Sequence, residues 1–148
     1  MPNTIHLTVA AIVKKDDHFL MVTESDIDVM VLNQPAGHVE PGEDILEAAI
    51  RETLEETGWR ILLTGFIGIY TYKSHRNGIT YYRLCFIAEP IEKDDSEPLD
   101  SDIEEVHWMT AQQIRDCVTS HRSPLVLECL EDYLKGQIFP LEIFHNHL

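Results

Sequence analysis

The chain is poor in basic residues, and this shortage limits what it can bind. Its 148 residues contain 11 Lys and Arg against 26 Asp and Glu, a net charge of −15 at pH 7. Binding to nucleic acid through the phosphate backbone needs a basic face, as does binding to an anionic membrane. We therefore expect neither partner. A phosphorylated small molecule can still bind where a metal ion and local Arg or Lys residues reverse the field.

Cysteines and long apolar runs are also scarce. The 3 cysteines are an odd set without CxxC spacing, which is typical of reduced, mostly buried thiols in a cytoplasmic protein. No apolar run has the length of a membrane-spanning helix, and no signal peptide is visible. The length suits one domain over residues 1–148, and we expect a monomer. These features predict a cytoplasmic, single-domain protein.

One segment carries most of the information about function. Residues 37–59 have the sequence GHVEPGEDILEAAIRETLEETGW, in which glycines bracket a helical stretch. Asp44, with Glu47 three positions later, forms a capping box that predicts a helix beginning at Ile45. Gly58 is placed to end this helix in the left-handed conformation. The segment is therefore predicted to be a loop followed by a helix of defined length.

Three carboxylates share one face of the predicted helix. At about 100° per residue, Glu52, Glu55 and Glu56 fall close together. We expect Ala48 and Ala49 to lie beside them and to leave open space above. The apolar stripe that would contact the core lies elsewhere on the helix and consists of Leu46, Ile50 and Leu54.

An acidic helical face has an ordinary explanation as well as a functional one. Such faces are usually solvated surface, and Arg51 can serve simply as an i,i+4 partner of Glu55. Like charges at these spacings destabilise a helix, however, unless a cation lies between them. Hard oxygen ligands on an open face suit Mg²⁺ or Mn²⁺. With its glycine-bracketed loop, the segment favours a site for a divalent metal.

The spacing itself resembles a known signature, that of the Nudix hydrolases, which cleave diphosphates with a divalent metal. Seven residues share the pattern G-x5-E-x7-R-E-x2-E-E-x-G: Gly37, Glu43, Arg51, Glu52, Glu55, Glu56 and Gly58. The resemblance implies a structural role for Glu43, which would pair the loop with the helix, and for Gly58. Thr53 and Trp59 depart from the usual aliphatic residues at their positions, and both concern packing.

The same resemblance implies roles for the remaining residues of the pattern. Glu55 and Glu56 would be the main metal carboxylates, and the carbonyl of Gly37 would be a backbone ligand. Glu52 would be a further ligand or the general base, and Arg51 would orient it. A carboxylate from outside the pattern often completes the cluster in relatives. Two adjacent glutamates are candidates, of which only one can point inward on a strand: Glu104 and Glu105.

Further stretches are similar to one subgroup, the NudJ-type phosphatases. They cover residues 33–38, 100–108, 122–126 and 140–142, and His38 replaces the second glycine of most Nudix chains. The resemblance implies release of orthophosphate from nucleoside tri- and diphosphates, hydroxymethylpyrimidine diphosphate and thiamin diphosphate. Two alternatives stay open. One is a Nudix pyrophosphohydrolase acting on another nucleoside diphosphate-linked compound, and the other is a catalytically silent module that binds a nucleotide.

Several residues are candidates for contact with the substrate. His38 either contacts a phosphate oxygen in catalysis or only caps its loop. Arg122 and Ser123 precede a predicted helix, where they hold a phosphate or simply cap the helix. Arg83 either reaches the phosphates of the substrate or pairs with surface acids. Gln34 is also expected to bind the substrate. Three tyrosines either stack on the ring of the substrate or belong to the core: Tyr70, Tyr72 and Tyr82.

The order of elements predicts an α/β fold. Strands are predicted over residues 5–13, 19–23, 29–32, 61–72, 79–88 and 106–109. Asn77-Gly78 indicates a hairpin, and residues 90–102 are expected to be irregular. Capping signals predict two helices after Thr110 and Ser123, and the apolar tail 138–144 is expected to dock. This order indicates a mixed β-sheet covered on both faces, and the resemblance implies an α/β/α sandwich, the Nudix fold.

Overall fold

The computed structural model describes residues 4–26 and 28–148, which form a mixed sheet with helices on both faces. The strands are β1 (Ile5–Lys15), β2 (His18–Asp26), β3 (Val29–Asn33), β4 (Ala36–His38), β5 (Trp59–Lys73), β6 (Thr80–Lys93) and β7 (Ile103–Thr110). The helices are α1 (Ile45–Thr57), α2 (Ala111–Asp116) and α3 (Leu125–Leu134), with 3-10 turns at Val118–Ser120 and Leu141–Ile143.

The sheet has the strand order β3-β2-β1-β6-β5, with β4 paired to β1 and β7 paired to β2. The β1–β6 pair is parallel, and the other pairs are antiparallel. β1 is therefore central, and it contacts both the strand that enters α1 and the long β5–β6 hairpin. This placement puts the loop before α1 next to the middle of the sheet.

The sheet has a hydrophobic core on each face. Alternate residues of β1 belong to different cores, because successive side chains of a strand point to opposite faces. Ala10 and Ile12 belong to the core under α2 and α3. Val9, Ala11 and Val13 belong to the core under α1. The predicted sandwich with both faces of a mixed sheet covered is confirmed.

The contact surface of α1 differs from the predicted one. Ala48 and Ala49 are fully buried against the sheet, so the open space expected above them does not exist. The predicted stripe of Leu46, Ile50 and Leu54 is only partly buried. Small side chains let the helix backbone approach the sheet closely, and the larger ones then pack around the edges of the contact. The helix is therefore rotated from the orientation that hydrophobicity alone predicts.

Other boundaries differ at particular places. β6 continues through Lys93, into the stretch predicted to be irregular, because it stays paired with β5 as far as Trp59. β4 has three residues and was not predicted. The predicted β5–β6 hairpin is present, but its turn is a longer loop, residues 74–79, with Gly78 at a φ of 73°. The capping box of α2, between Thr110 and Gln113, is confirmed.

The C-terminal tail docks on the sheet, as predicted. Phe139 exchanges backbone hydrogen bonds with Phe66, with N···O distances of 2.7 and 2.8 Å. The ring of Phe144 packs edge-on against Phe66, with centroids 4.9 Å apart, and also contacts Phe86. Within the described residues, no helix is both long and apolar enough to cross a membrane.

Candidate active site

A cavity of about 490 Å³ opens between the N-terminal part of α3 and the loop that precedes α1. Its walls come from β1, β2, β4 and β6 as well as from α1 and the loops before β7 and α3. Several predicted site residues line it: Gly37, His38, Glu52, Glu56, Arg83, Arg122 and Ser123. The structure thus brings together residues that are distant in the sequence, from Gly37 to Ser123.

The caps of α1 fix where its acidic residues lie along the cavity. The Asp44 side chain accepts a hydrogen bond from the backbone N–H of Glu47 at 3.1 Å, so the helix begins at Ile45 as predicted. Gly58 has a φ of 78° and its N–H donates to the carbonyl of Leu54 at 2.8 Å, which ends the helix. A side chain at Gly58 would be strained at this φ.

Arg51 connects the helix to the preceding loop. Its Nε and Nη2 donate to the two carboxylate oxygens of Glu43, at 2.6 and 2.9 Å. Its Nη1 donates to Glu52 and to Glu55, both at 3.0 Å, and Nη2 also donates to the carbonyl of His38 at 3.1 Å. The hydrogen bonds from Arg51 lower the pKa of Glu43. One guanidinium therefore holds the loop and two acids in a fixed arrangement.

Three carboxylates form an acidic cluster at the cavity edge: Glu52, Glu55 and Asp100. Each offers one oxygen, and these oxygens all lie within 4.8 Å of one another. Burial raises the pKa of Glu52 to about 7, and burial followed by the charge of Glu55 raises the pKa of Asp100. Such a set of hard oxygen donors, whose mutual repulsion a cation would relieve, fits a divalent metal ion.

Glu56 lies deeper than the acidic cluster. It is 5% exposed, and one of its carboxylate oxygens accepts from the N–H of Ala36 at 3.0 Å. Burial, only partly offset by that hydrogen bond, raises its pKa to about 9. The structure therefore places Glu56 on the inner wall of the cavity, next to the loop of Gly37, rather than among the three clustered acids.

Gly37 lies in close contact with the side chain of Glu52. A Cβ atom at this position would overlap the carboxylate of Glu52. Gly37 also pairs with Val9 in the β4–β1 ladder, so the loop cannot shift freely to make room. The backbone of the loop and the carboxylate of Glu52 thus lie against each other at the cavity edge.

The additional carboxylate of the cluster is Asp100, not either of the two predicted glutamates. Glu104 accepts a hydrogen bond from the hydroxyl of Ser25, and neither Glu104 nor Glu105 lines the cavity. Asp100 lies in the loop before β7, where its N–H donates to the carbonyl of Glu55 at 3.1 Å. The sequence signals for Asp100 were the acidic composition of residues 90–102 and its place at the start of the segment 100–108, neither of which identifies a ligand, because the contact depends on how a long loop folds.

Arg83 is buried, with 6% of its surface exposed, so pairing with surface acids is wrong. Its Nη1 donates to the side-chain oxygen of Gln34, and its Nη2 donates to that of Asn33, both at 3.0 Å. Gln34 also donates to the carbonyl of Val126 at 2.7 Å and does not line the cavity. Gln34, expected to bind substrate, instead uses its amide to hold Arg83.

Arg122 also lines this cavity, and it forms an ion pair with Glu24. Its Nη1 donates to Glu24 at 2.8 Å, and Glu24 is almost completely buried. Burial raises the pKa of Glu24, although the charge of Arg122 opposes this. Sequence reasoning missed Glu24, which occupies an ordinary position in β2. Ser123 was predicted to cap α3, but the N-cap position is Pro124. The hydroxyl of Ser123 lines the cavity and accepts from the N–H of Leu125, the first residue of α3, at 3.2 Å.

His38 lines the cavity next to Gly37 and contacts a second histidine. Its Nε2 lies 2.9 Å from Nδ1 of His6. Partial burial, followed by the charge of His6, lowers the pKa of His38. Of the three candidate tyrosines, only Tyr72 lines the cavity, together with Tyr81, which was not a candidate. Tyr70 is buried and donates to Asp132 at 2.8 Å, and Tyr82 lies outside the cavity.

The sandwich, the glycine-bracketed acidic helix and the adjoining cavity together define an enzyme of the Nudix type. A profile of the NUDIX domain matches residues 4–129. The chain therefore belongs to the Nudix hydrolase family, which acts on phosphate anhydride bonds.

Within this family the chain is similar to phosphatase NudJ, as the sequence predicted. NudJ from Escherichia coli strain K12 is 37% identical over 138 residues, which are 93% of this chain and 89% of NudJ. A Nudix hydrolase structure from Nitrosomonas europaea is 41% identical with a TM-score of 0.94, covering 97% of this chain and 98% of that one. A MutT protein from Methanosarcina mazei, 18% identical with a TM-score of 0.73 over 92% of this chain and 97% of its own, shares the fold.

Proposed function

We propose that the protein is a phosphohydrolase that depends on Mg²⁺, or on Mn²⁺ in its place, and that releases orthophosphate from small substrates. The substrates are nucleoside tri- and diphosphates and the diphosphates of thiamin and hydroxymethylpyrimidine. The main support is the acidic cluster of Glu52, Glu55 and Asp100 at the edge of a cavity that also holds Arg83. Similarity to phosphatase NudJ supports release of a phosphate group.

The proposed metal ligands are Glu52, Glu55 and Glu56, the backbone carbonyl of Gly37, and Asp100. A bound Mg²⁺ would neutralise the diphosphate and lower the pKa of the attacking water. The raised pKa values of Glu52 and Glu56 support this assignment, because a cation removes much of the cost of ionising buried carboxyls. Mg²⁺ and Mn²⁺ both accept such oxygen ligands while they keep waters and substrate oxygens.

Glu52 is the proposed general base. Its carboxylate lines the cavity, where it could accept a proton from the attacking water. Arg51 donates to Glu52 and to Glu43, so it would hold the carboxylate of Glu52 toward the cavity. Water would attack the terminal phosphorus while Glu52 accepts a proton from it. The bond from that phosphorus to the bridging oxygen would break, which releases orthophosphate and leaves the rest of the substrate with the bridging oxygen.

The phosphates of the substrate are proposed to contact Arg83, Arg122 and Ser123. Arg83 supplies a buried positive charge at the cavity wall, and Ser123 lies at the start of α3. His38 is proposed to donate a hydrogen bond to a phosphate oxygen as a neutral imidazole, because its pKa is lowered. Its contact with His6 would fix the direction of the ring.

The test is a product analysis with a panel of ATP, GDP, thiamin diphosphate, hydroxymethylpyrimidine diphosphate and ADP-ribose. Orthophosphate and pyrophosphate are quantified separately in Mg²⁺, with Glu55→Gln as the control variant. We expect orthophosphate from substrates with a terminal phosphate and a loss of at least about 100-fold in the variant, because a ligand carboxylate is missing. Pyrophosphate or AMP as product would contradict phosphatase action, and no turnover would favour a silent binding module.

A further inference from the structure

The arginines that line the cavity differ in how their charge is balanced. Arg76 forms an ion pair with Asp26, and Arg122 forms one with Glu24. Arg83 is the most buried of the three, yet within residues 4–26 and 28–148 it forms no ion pair with a carboxylate. Arg83 therefore differs from the other two arginines in having no directly paired carboxylate, although its charge also lowers the pKa of the more distant Glu24, which is itself paired with Arg122.

Neutral oxygens hold Arg83 in place. Asn33 and Gln34 accept its two hydrogen bonds through their side-chain amides, and both residues are buried. The orientation of the Gln34 amide is fixed, since its nitrogen donates to the carbonyl of Val126 and its oxygen must therefore face the guanidinium. The side chain of Arg83 is consequently fixed in direction while its charge is left intact.

Burying a cation is costly unless an anion accompanies it. A carboxylate at position 33 or 34 would meet that requirement within the protein, but the chain has amides there instead. The guanidinium faces a cavity, so an anionic ligand can supply the missing charge. A planar guanidinium also matches the geometry of phosphate oxygens.

The sheet register places Arg83 opposite the loop of α1. Thr8 of β1 pairs with Arg83 of β6 on one side and with His38 of β4 on the other. Neighbouring strands lie about 4.8 Å apart, so the backbones at Arg83 and His38 are separated by roughly 10 Å. The side chains of Thr8, Arg83 and His38 all line the same cavity, so one ligand can contact both Arg83 and His38.

We propose that Asn33 and Gln34 are positioning residues that keep the charge of Arg83 available, and that this arginine subsite (Arg83, Asn33 and Gln34) binds the terminal phosphate of the substrate. The subsite shares no residue with the acidic cluster, and its binding of phosphate would not require the metal. The identity of the ligand as a substrate phosphate rests on the proposed function, and the binding of a phosphate group does not.

The test uses Asn33→Asp and Gln34→Glu, which preserve shape but place a carboxylate against Arg83. Because the new charge neutralises the guanidinium, we expect orthophosphate to bind about 10- to 100-fold more weakly in the metal-free protein. KM for ATP should rise by a similar factor in Mg²⁺, with a smaller change in kcat. The melting temperature should stay the same or rise for Asn33→Asp, since a buried cation gains a partner. It should fall for Gln34→Glu, whose carboxylate has no proton to donate to the carbonyl of Val126. Gln112→Glu adds the same charge on the exposed side of α2 and serves as control.

The outcomes separate this inference from the proposed function. Folded Asn33→Asp and Gln34→Glu proteins with unchanged phosphate affinity and unchanged KM would overturn the arginine subsite, as would a wild-type protein that binds no orthophosphate. A wild-type protein that binds orthophosphate through the subsite but hydrolyses none of the panel would refute the proposed function alone. If neither variant folds, Arg83→Gln decides, because the subsite requires that it lose phosphate binding.

Discussion

Two glutamates of α1 show how burial changes an acid at the scale of one residue. Glu52 and Glu56 are four positions apart, and burial raises their pKa values from 4.5 to about 7 and about 9. Without a cation, both carboxyls hold their protons at a pH at which an exposed glutamate has lost its own. The acids of this site are therefore poised to ionise when positive charge arrives.

This shift makes the stability of the metal-free protein depend on pH. Above pH 4.5 the unfolded chain has released both protons, while the folded protein keeps them up to about pH 7 and about pH 9. The free energy of unfolding should therefore fall as pH rises through this range. We expect melting temperatures in EDTA to decrease from pH 5 to pH 9, and excess Mg²⁺ to reduce the decrease.

The substitution Glu56→Gln removes the contribution of Glu56 to the pH dependence of stability. The amide does not titrate, so the variant should show a flatter profile than the wild type above pH 7 in EDTA. Thermal melts of both proteins across the same buffers provide the comparison. A profile of the same slope for both proteins would show that Glu56 is not the group responsible.

Sequence and structure agree best for residues whose environment is local. Glu43 and Arg51 are eight positions apart, and their ion pair follows from the loop and helix that contain them. Glu24 and Asn33 were missed because their partners, Arg122 and Arg83, are 98 and 50 residues away. Nothing in the neighbouring sequence distinguishes such a residue from any other polar residue at the end of a strand.

At the scale of an element, the sequence predicts where α1 begins and ends, but not which face of the helix is buried. The caps at Asp44 and Gly58 depend on a few neighbouring residues, and both are as expected. The buried face depends on what the helix packs against, and small residues at Ala48 and Ala49 allow the closest approach. β4 escaped prediction for the same reason, because its three residues are a strand only through their pairing with β1.

The close contact of α1 with the sheet predicts a cost for a larger side chain. Ala49→Leu should lower the free energy of unfolding by about 1–3 kcal/mol, since the added atoms have no space in a packed core. Glu47→Leu, on the exposed side of the same helix, should change it by less than about 1 kcal/mol. Urea denaturation measures both. A stable Ala49→Leu protein would mean that α1 lies farther from the sheet than the structure shows.

At the scale of the whole molecule, the sheet topology assembles the site. The parallel β1–β6 pair aligns Arg83 with the loop of α1, and the connection from β6 to β7 brings Asp100 to Glu55. The mixed sheet and its two covered faces followed from the order of elements. The strand order, and with it the identity of the extra carboxylate, required contacts that no local pattern encodes.

Because the net charge of the protein is −15, binding of a phosphate substrate depends on the positive groups gathered at this site. An acidic surface repels a diphosphate, so attraction has to come from the cavity itself. Arg83 supplies one positive charge, and a divalent cation on the acidic cluster would supply two more. The central claim of the proposed function is therefore that this cluster binds a divalent metal.

Titration of metal-free protein with Mn²⁺, followed by electron paramagnetic resonance of the free ion, tests that claim most directly. Asp100→Asn should weaken Mn²⁺ binding by at least about tenfold, because even residues outside the ligand shell contribute that much. Glu104→Gln, which removes a carboxylate that lies outside the cavity, should bind as the wild type does. Unchanged binding in Asp100→Asn, or weakening in Glu104→Gln alone, would contradict the site.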